Sequence, residues 1–330
     1  MNILDVKNLT IGFVDGKGKV VPTVSDVSFS LKRGEILALV GESGCGKSIS
    51  CLSLSKLLPS PPAVVSGTVT LRKKDGSATD IFSLSNRELR KIRGGEIAYI
   101  FQEPSVSLNP VFRIGTQIGE VLSLHRPELE NPQEEIVSLL RKVGIPSPEA
   151  RVRSYPHELS GGMQQRVMIA MALASNPSVL IADEPTTALD VTIQAQILDL
   201  LRELREKQGM SIILVTHNLG IVSEMADRVC VMYAGRIVEK APVRELMDHP
   251  EHPYTKALLK AVPVLGGEKR ELSTIPGTVP QPADFPAGCR FCGRCSVFAG
   301  MRGAPCRDIV PEPVEVSPGH FCACHLGKGA

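Results

Sequence analysis

Five consecutive apolar residues, 36–40, run straight into Gly41-Glu42-Ser43-Gly44-Cys45-Gly46-Lys47-Ser48, and a helical pattern follows. The eight residues fit G-x-x-x-x-G-K-S, and the order strand, loop, helix is the context that gives this pattern meaning. Glycines let the backbone curl so that its N–H groups converge on an anion. The helix N-terminus behind the loop adds partial positive charge. The Lys47 ammonium is suited to the β- and γ-phosphates of a bound ATP, and the Ser48 hydroxyl to Mg²⁺. Cys45 reads as a small filler.

The remaining periodicities build an α/β chain around that loop. Residues 2–14 and 20–32 alternate loosely apolar and polar about Asp15, Gly16 and Gly18, which predicts an antiparallel hairpin. A helix is predicted over 48–58, stopped by Pro59, Pro61 and Pro62, with strands over 66–72 and 96–101. From 104 to 166 the apolar spacing is mainly helical, as in Ile118, Val121 and Leu122, or Ile136, Leu139 and Leu140. A buried strand over 179–182, an amphipathic helix over 191–207 and a second buried strand over 212–216 follow. Strands alternating with helices predict a parallel sheet covered on both faces.

Bulk properties narrow the classes. The 330 residues allow one large domain and a smaller one, and 43% are hydrophobic, enough for a sizeable core. A net charge of +2 without a long basic run argues against nucleic acid. No stretch approaches the roughly 18 apolar residues of a membrane span. The opening MNILDVKNLT lacks the charged start and apolar run of a secretory signal. The expectation is a cytosolic protein that reaches a membrane only through a partner.

The strand 179–182 ends in Asp183-Glu184. A carboxylate at the end of a buried strand, with a phosphate loop upstream, suits a second Mg²⁺ contact, the role expected of Asp183. Glu184 is then the candidate general base for the attacking water. His217 follows the next strand and is expected at the same carboxyl edge, where ligands bind in such sheets.

Residues Leu159-Ser160-Gly161-Gly162-Met163-Gln164-Gln165-Arg166 resemble the signature sequence of the ABC ATPases. The resemblance implies a P-loop ABC ATPase fold: a RecA-like parallel core, an N-terminal antiparallel β part and a helical subdomain over about 104–166. It also implies that Ser160, Gly161, Gly162 and Gln164 contact the ATP held by a second ATPase subunit. Gln102 resembles the Q-loop glutamine, Ala188-Leu189-Asp190 the D-loop that crosses the dimer interface, and Thr216-His217 the switch histidine. Phe13 stands where the family has an adenine-stacking aromatic. Asn218 replaces the usual aspartate after the histidine, a change of little expected effect.

Residues 1–262 resemble, nearly throughout, the ATPase subunits of bacterial dipeptide and oligopeptide importers. Tyr155–Gly162, Asp183–Val191 and Met232-Tyr233-Ala234-Gly235 carry the likeness, and His252-Pro253-Tyr254-Thr255 resembles the start of that group's C-terminal extension. Residues 1–245 are accordingly read as the nucleotide-binding domain and 246–330 as the extension. The implied partners are a related but different ATPase chain, two transmembrane permease subunits and an extracytoplasmic solute-binding protein. The implied place is the cytoplasmic face of the inner membrane. Nickel or another small solute is an alternative cargo, and a non-hydrolysing subunit of a heteromeric pair an alternative role.

Six of nine cysteines fall between 289 and 324. In a reducing compartment such a cluster reads first as metal binding, and a segment this short needs a staple to fold. The family resemblance implies Cys289, Cys295, Cys306 and Cys324 as ligands of a 4Fe-4S iron–sulfur cluster. Zinc suits four thiolates as well. The gap between Cys295 and Cys306 is longer than usual for the family, and Cys292 and Cys322 are extra, so they stand as alternates.

Overall fold

The computed structural model describes residues 1–187, 189–261, 274–299 and 305–326. Ala188 of the expected D-loop and residues 262–273 of the expected extension lie outside them. The strands are β1 (Asn2–Val14), β2 (Val20–Lys32), β3 (Ile36–Val40), β4 (Ala63–Arg72), β5 (Ala78–Asp80), β6 (Ile97–Ile100), β7 (Val179–Asp183), β8 (Ser211–Thr216), β9 (Arg228–Tyr233), β10 (Arg236–Pro242), β11 (Val314–Ser317) and β12 (His320–Cys322). The chain divides into two compact units, one of residues 1–3, 31–35 and 71–214, the other of 4–30, 36–70 and 215–330.

In the second unit β1 lies between β2 and β4, as the alternating pattern of the first 32 residues predicts. Gly67 explains how closely β4 approaches: a Cβ there would stand 2.7 Å from the carbonyl oxygens of both Lys7 and Asn8. The other sheet of this unit is built on β3, every residue of which is buried. It pairs in parallel with β9, Leu37 opposite Arg228 and Val40 opposite Val231. β9 and β10 are antiparallel. β12 then pairs antiparallel with β10, Glu239 opposite Cys322, and β11 with β12. Of the tail cysteines, Cys322 lies on β12 itself, in a sheet of the core.

In the first unit β6 and β7 run parallel, Ile97 opposite Val179 and Ile100 opposite Ala182, with β8 beside β7. The helices Ile114–His125, Pro132–Lys142 and Gly161–Ala174 pack on one another. Arg126 joins them, with Nη1 donating to Glu135 Oε1 at 2.6 Å and to the Ala174 carbonyl at 3.3 Å. The helix Asn86–Ile92, which periodicity does not announce, opens with a full capping box. Glu88 N–H donates to Ser85 Oγ, and Ser85 N–H to the Glu88 carboxylate at 2.9 Å.

One predicted element is shorter than expected. The helix after the glycine loop spans Lys47–Ser53 rather than 48–58. Lys56 takes a left-handed backbone, φ 54°, which no α-helix tolerates, so the helix is over before the prolines are reached.

Candidate nucleotide site

The residues expected at the site fall in both units. In the second unit the loop Gly41–Ser48 leaves β3 and enters the helix Lys47–Ser53. Gly41 has no room for a side chain, since a Cβ would lie 2.2 Å from the Met232 carbonyl oxygen and 2.8 Å from Cys45 Sγ. Lys47 is buried, and its Nζ donates to the carbonyls of Gly41 at 2.7 Å and Glu42 at 3.0 Å. Ser43 and Gly44 are exposed. Cys45 is buried, which pushes its thiol up despite the nearby Lys47 and agrees with a filler role.

Phe13 is half-buried on β1. His217 is exposed just after β8. Asn218 is the N-cap of the helix Leu219–Met225, its Oδ1 accepting from Gly220 N–H at 2.9 Å and Ile221 N–H at 3.4 Å. Asparagine and aspartate cap equally well, so this departure from the family pattern costs the fold nothing.

In the first unit, Asp183 ends β7 and Glu184 follows with φ 47°. A left-handed backbone at a non-glycine residue is strained, and such strain gathers at functional sites. The Glu184 Oε2 accepts from Gln102 Nε2 at 3.1 Å and from Thr187 Oγ1 at 2.8 Å. A glutamine from 82 positions upstream and a threonine three positions downstream therefore meet at one carboxylate oxygen. Thr187 escapes sequence reasoning because nothing in its spacing marks it.

Ser160 caps the helix Gly161–Ala174, accepting from Met163 N–H. Gln164 does not project freely, since its Nε2 donates to the carbonyls of Pro156 at 3.0 Å and Leu159 at 3.2 Å. The buried Gln165, not singled out by sequence, ties the same helix to the Pro185 carbonyl at 2.8 Å. A Cβ on Gly162 would lie 3.0 Å from Ile193 Cγ2, whereas one on Gly161 would meet nothing within 4 Å among the described residues. Asp190 caps the helix Val191–Gln208 through Ile193 N–H at 2.9 Å. The segment after Gln102 exposes Val106, Val111 and Phe112, and Phe101 precedes it, also exposed.

In the extension, Cys289, Cys292, Cys295, Cys306 and Cys324 line one small cavity together with His252 and Phe291. Cys322 does not line it; it lies on β12 opposite Glu239. Of the two alternates only Cys292 joins the expected four. Burial pushes the Cys289 thiol up to about 12, with the neighbouring cysteines acting in the same direction. Among the described residues, however, no group of three or more His, Cys, Asp or Glu is placed to hold a metal ion, so ligand geometry does not support the expected 4Fe-4S cluster.

No helix among the described residues is long and apolar enough to cross a membrane. Residues 24–187 match the family model described as ABC transporter, and 238–299 the one described as oligopeptide/dipeptide transporter, C-terminal region. A peptide import ATP-binding protein of Brucella ovis is 49% identical over 332 residues, covering 98% of this chain and 96% of that one. A peptide ABC transporter ATP-binding protein of Sinorhizobium fredii is 47% identical, covering 98% and 94%. Among solved structures, the dimeric post-hydrolysis state of the ATP-binding cassette MJ0796, bound to ADP and Pi, superposes with a TM-score of 0.63 at 27% identity, over 73% of this chain and 99% of that one. The cbiO1 protein of Clostridium perfringens, part of an ABC transporter complex, gives 0.61 at 29% identity, over 75% and 91%. With a phosphate loop, a capped signature helix and a strained acidic strand end in that order along one chain, the protein belongs to the ABC transporter family, among the ATP-binding subunits of the oligopeptide and dipeptide importers.

Proposed function

We propose that the chain binds MgATP on Gly41–Ser48 and hydrolyses it with Glu184 as general base, energising peptide uptake through permease subunits of the membrane. The observation that carries this reading is the Glu184 carboxylate, held by Gln102 and Thr187 at the end of β7. A base fixed by two donors keeps one orientation towards a water, and a general base contributes about 10²–10⁴-fold to rate. Lys47 exchanges the Gly41 and Glu42 carbonyls for phosphate oxygens when ATP enters. Ser48 and Asp183 take Mg²⁺, His217 the γ-phosphate, and Phe13 the adenine.

The open space over Gly161 supports a role in trans. Among the described residues nothing lies within 4 Å of where a Gly161 Cβ would stand, which leaves room for the γ-phosphate of a nucleotide on a second ATPase subunit to approach Ser160–Gly162. The exposed apolar residues flanking Gln102 suit docking of a permease, and their motion with Gln102 would reach Glu184 directly. A related but different ATPase chain, a cytoplasmic-face location and delivery of peptide by an extracytoplasmic binding protein complete the reading.

For the extension, the 4Fe-4S cluster is the proposal, with Cys289, Cys295, Cys306 and Cys324 as thiolates and Cys292 as the alternate. The convergence of five thiols on one cavity supports it. Such a cluster would staple a short segment, since metal-binding free energy becomes folding free energy.

The test of the ATPase reading is phosphate release and ATP affinity of Glu184→Gln beside the parent protein. Retained affinity with hydrolysis lost supports it; parental hydrolysis overturns it. The cluster is tested by iron, sulfide and zinc analysis after anaerobic purification: zinc without sulfide, or no metal, ends that proposal.

A further inference from the structure

The second residue of the phosphate loop is gripped from the C-terminal extension at two points. Its backbone N–H donates to Tyr254 Oη at 2.9 Å. Its carboxylate accepts both terminal nitrogens of Arg294, at 2.8 and 3.1 Å, a bidentate pair. Both partners are themselves fixed. The Arg294 side chain is only 8% exposed, and its Nε donates to the Pro276 carbonyl at 2.7 Å. Tyr254 is fully buried, its ring centroid 4.6 Å from that of Tyr233 and 5.3 Å from that of Phe291. Arg294 follows Cys292 and precedes Cys295 in the chain, and Phe291 lines the thiol cavity with both.

Two physical consequences follow. Loop amides bind phosphate best when they need no reordering at the moment of binding, and a clamp on both main chain and side chain of Glu42 provides that order. A carboxylate in a phosphate loop also repels the anion the loop must bind, and the guanidinium against it cancels that charge locally.

We infer that Arg294 and Tyr254 are positioning residues for ATP binding, acting through Glu42, so that the cysteine-rich extension is the outer wall of the phosphate loop. The inference rests on the reading of Gly41–Ser48 as the ATP-binding loop.

The experiment titrates the full-length chain with a fluorescent methylanthraniloyl-ATP, alongside melting temperature and metal content. Arg294→Ala should weaken binding about tenfold, as expected for a lost hydrogen bond to a charged group. Arg294→Lys should recover part of that loss, and Tyr254→Phe should weaken binding about threefold. In a Glu42→Gln background the Arg294→Ala effect should shrink to under about twofold, because the partner charge is gone. A general loosening of the extension would instead give the same loss in both backgrounds, and that result overturns the inference. So does affinity within about twofold of the parent in Tyr254→Phe and Arg294→Lys, variants that remove one oxygen or keep the charge and remain informative if Arg294→Ala does not fold. Lys47→Ala serves as the separate control: unchanged affinity there would sink the loop assignment itself rather than the clamp.

Discussion

Gln102 donates its side-chain amide to the Glu184 carboxylate at 3.1 Å across 82 positions of sequence. The residue expected to register the permease and the residue expected to activate water are thus direct neighbours. Any displacement of the segment carrying Gln102 changes the hydrogen bonding of Glu184 without an intermediary.

Glu184→Gln should keep ATP affinity and reduce turnover by at least about 100-fold, the lower bound for loss of a general base. Gln102→Ala should retain more activity, because Thr187 still orients the carboxylate. Phosphate-release kinetics on both variants check the order of severity, and equal losses would deny Thr187 its share.

Gly161→Ala separates folding from assembly. Because a Cβ there meets nothing within 4 Å, stability should stay within about 0.5 kcal/mol of the parent. Hydrolysis should nevertheless fall if a second subunit's nucleotide approaches that space. Urea unfolding and ATPase rate on the same preparation decide it.

Ser85→Ala should cost about 1 kcal/mol, the usual value of a side-chain N-cap, and leave ATP affinity unchanged. Denaturant midpoints give the first quantity and nucleotide titration the second.

Glu239→Ala should be far more damaging. This buried carboxylate accepts from Glu251 N–H at 2.7 Å and His252 N–H at 3.1 Å, and bonds His320 Nε2 at 2.7 Å. Deleting it strands the N–H groups of Glu251 and His252 at the start of the extension and the buried His320 ring on β12, at a cost of about 3–5 kcal/mol. Limited proteolysis should then release the residues after 305, whereas a resistant tail would show that other contacts hold it.

Legibility in the sequence followed contiguity. The loop Gly41–Ser48, the pair Asp183-Glu184 and the signature at 159–166 are each a short run whose residue types announce their chemistry, and each occurs in the element expected. Of the parallel strands, β3, β7 and β8 were readable because they are short, almost wholly apolar runs, whereas β9, which pairs with β3, was not predicted. What could not be read was pairing at a distance. Gln102 meets Glu184 across 82 positions, and Glu42 meets Tyr254 and Arg294 across 212 and 252. The over-long helix after Lys47 has a different cause: apolar spacing continues past Ser53, but the left-handed backbone at Lys56 is invisible to periodicity. β11 and β12 are too short to announce themselves and exist because β10 offers them a ladder.

That ladder has a practical side. β10 presents a row of amides and carbonyls on the flank away from β9, and β12 covers part of it at Glu239 and Lys240. β11 follows as the outermost strand, short and carrying Glu315. Unpaired strand flanks recruit other chains, and natural proteins blunt them with brief, charged outer strands. A polypeptide ending before Val314 would leave β10 without that shield, and self-association through bare strand flanks would then limit how concentrated a preparation could become.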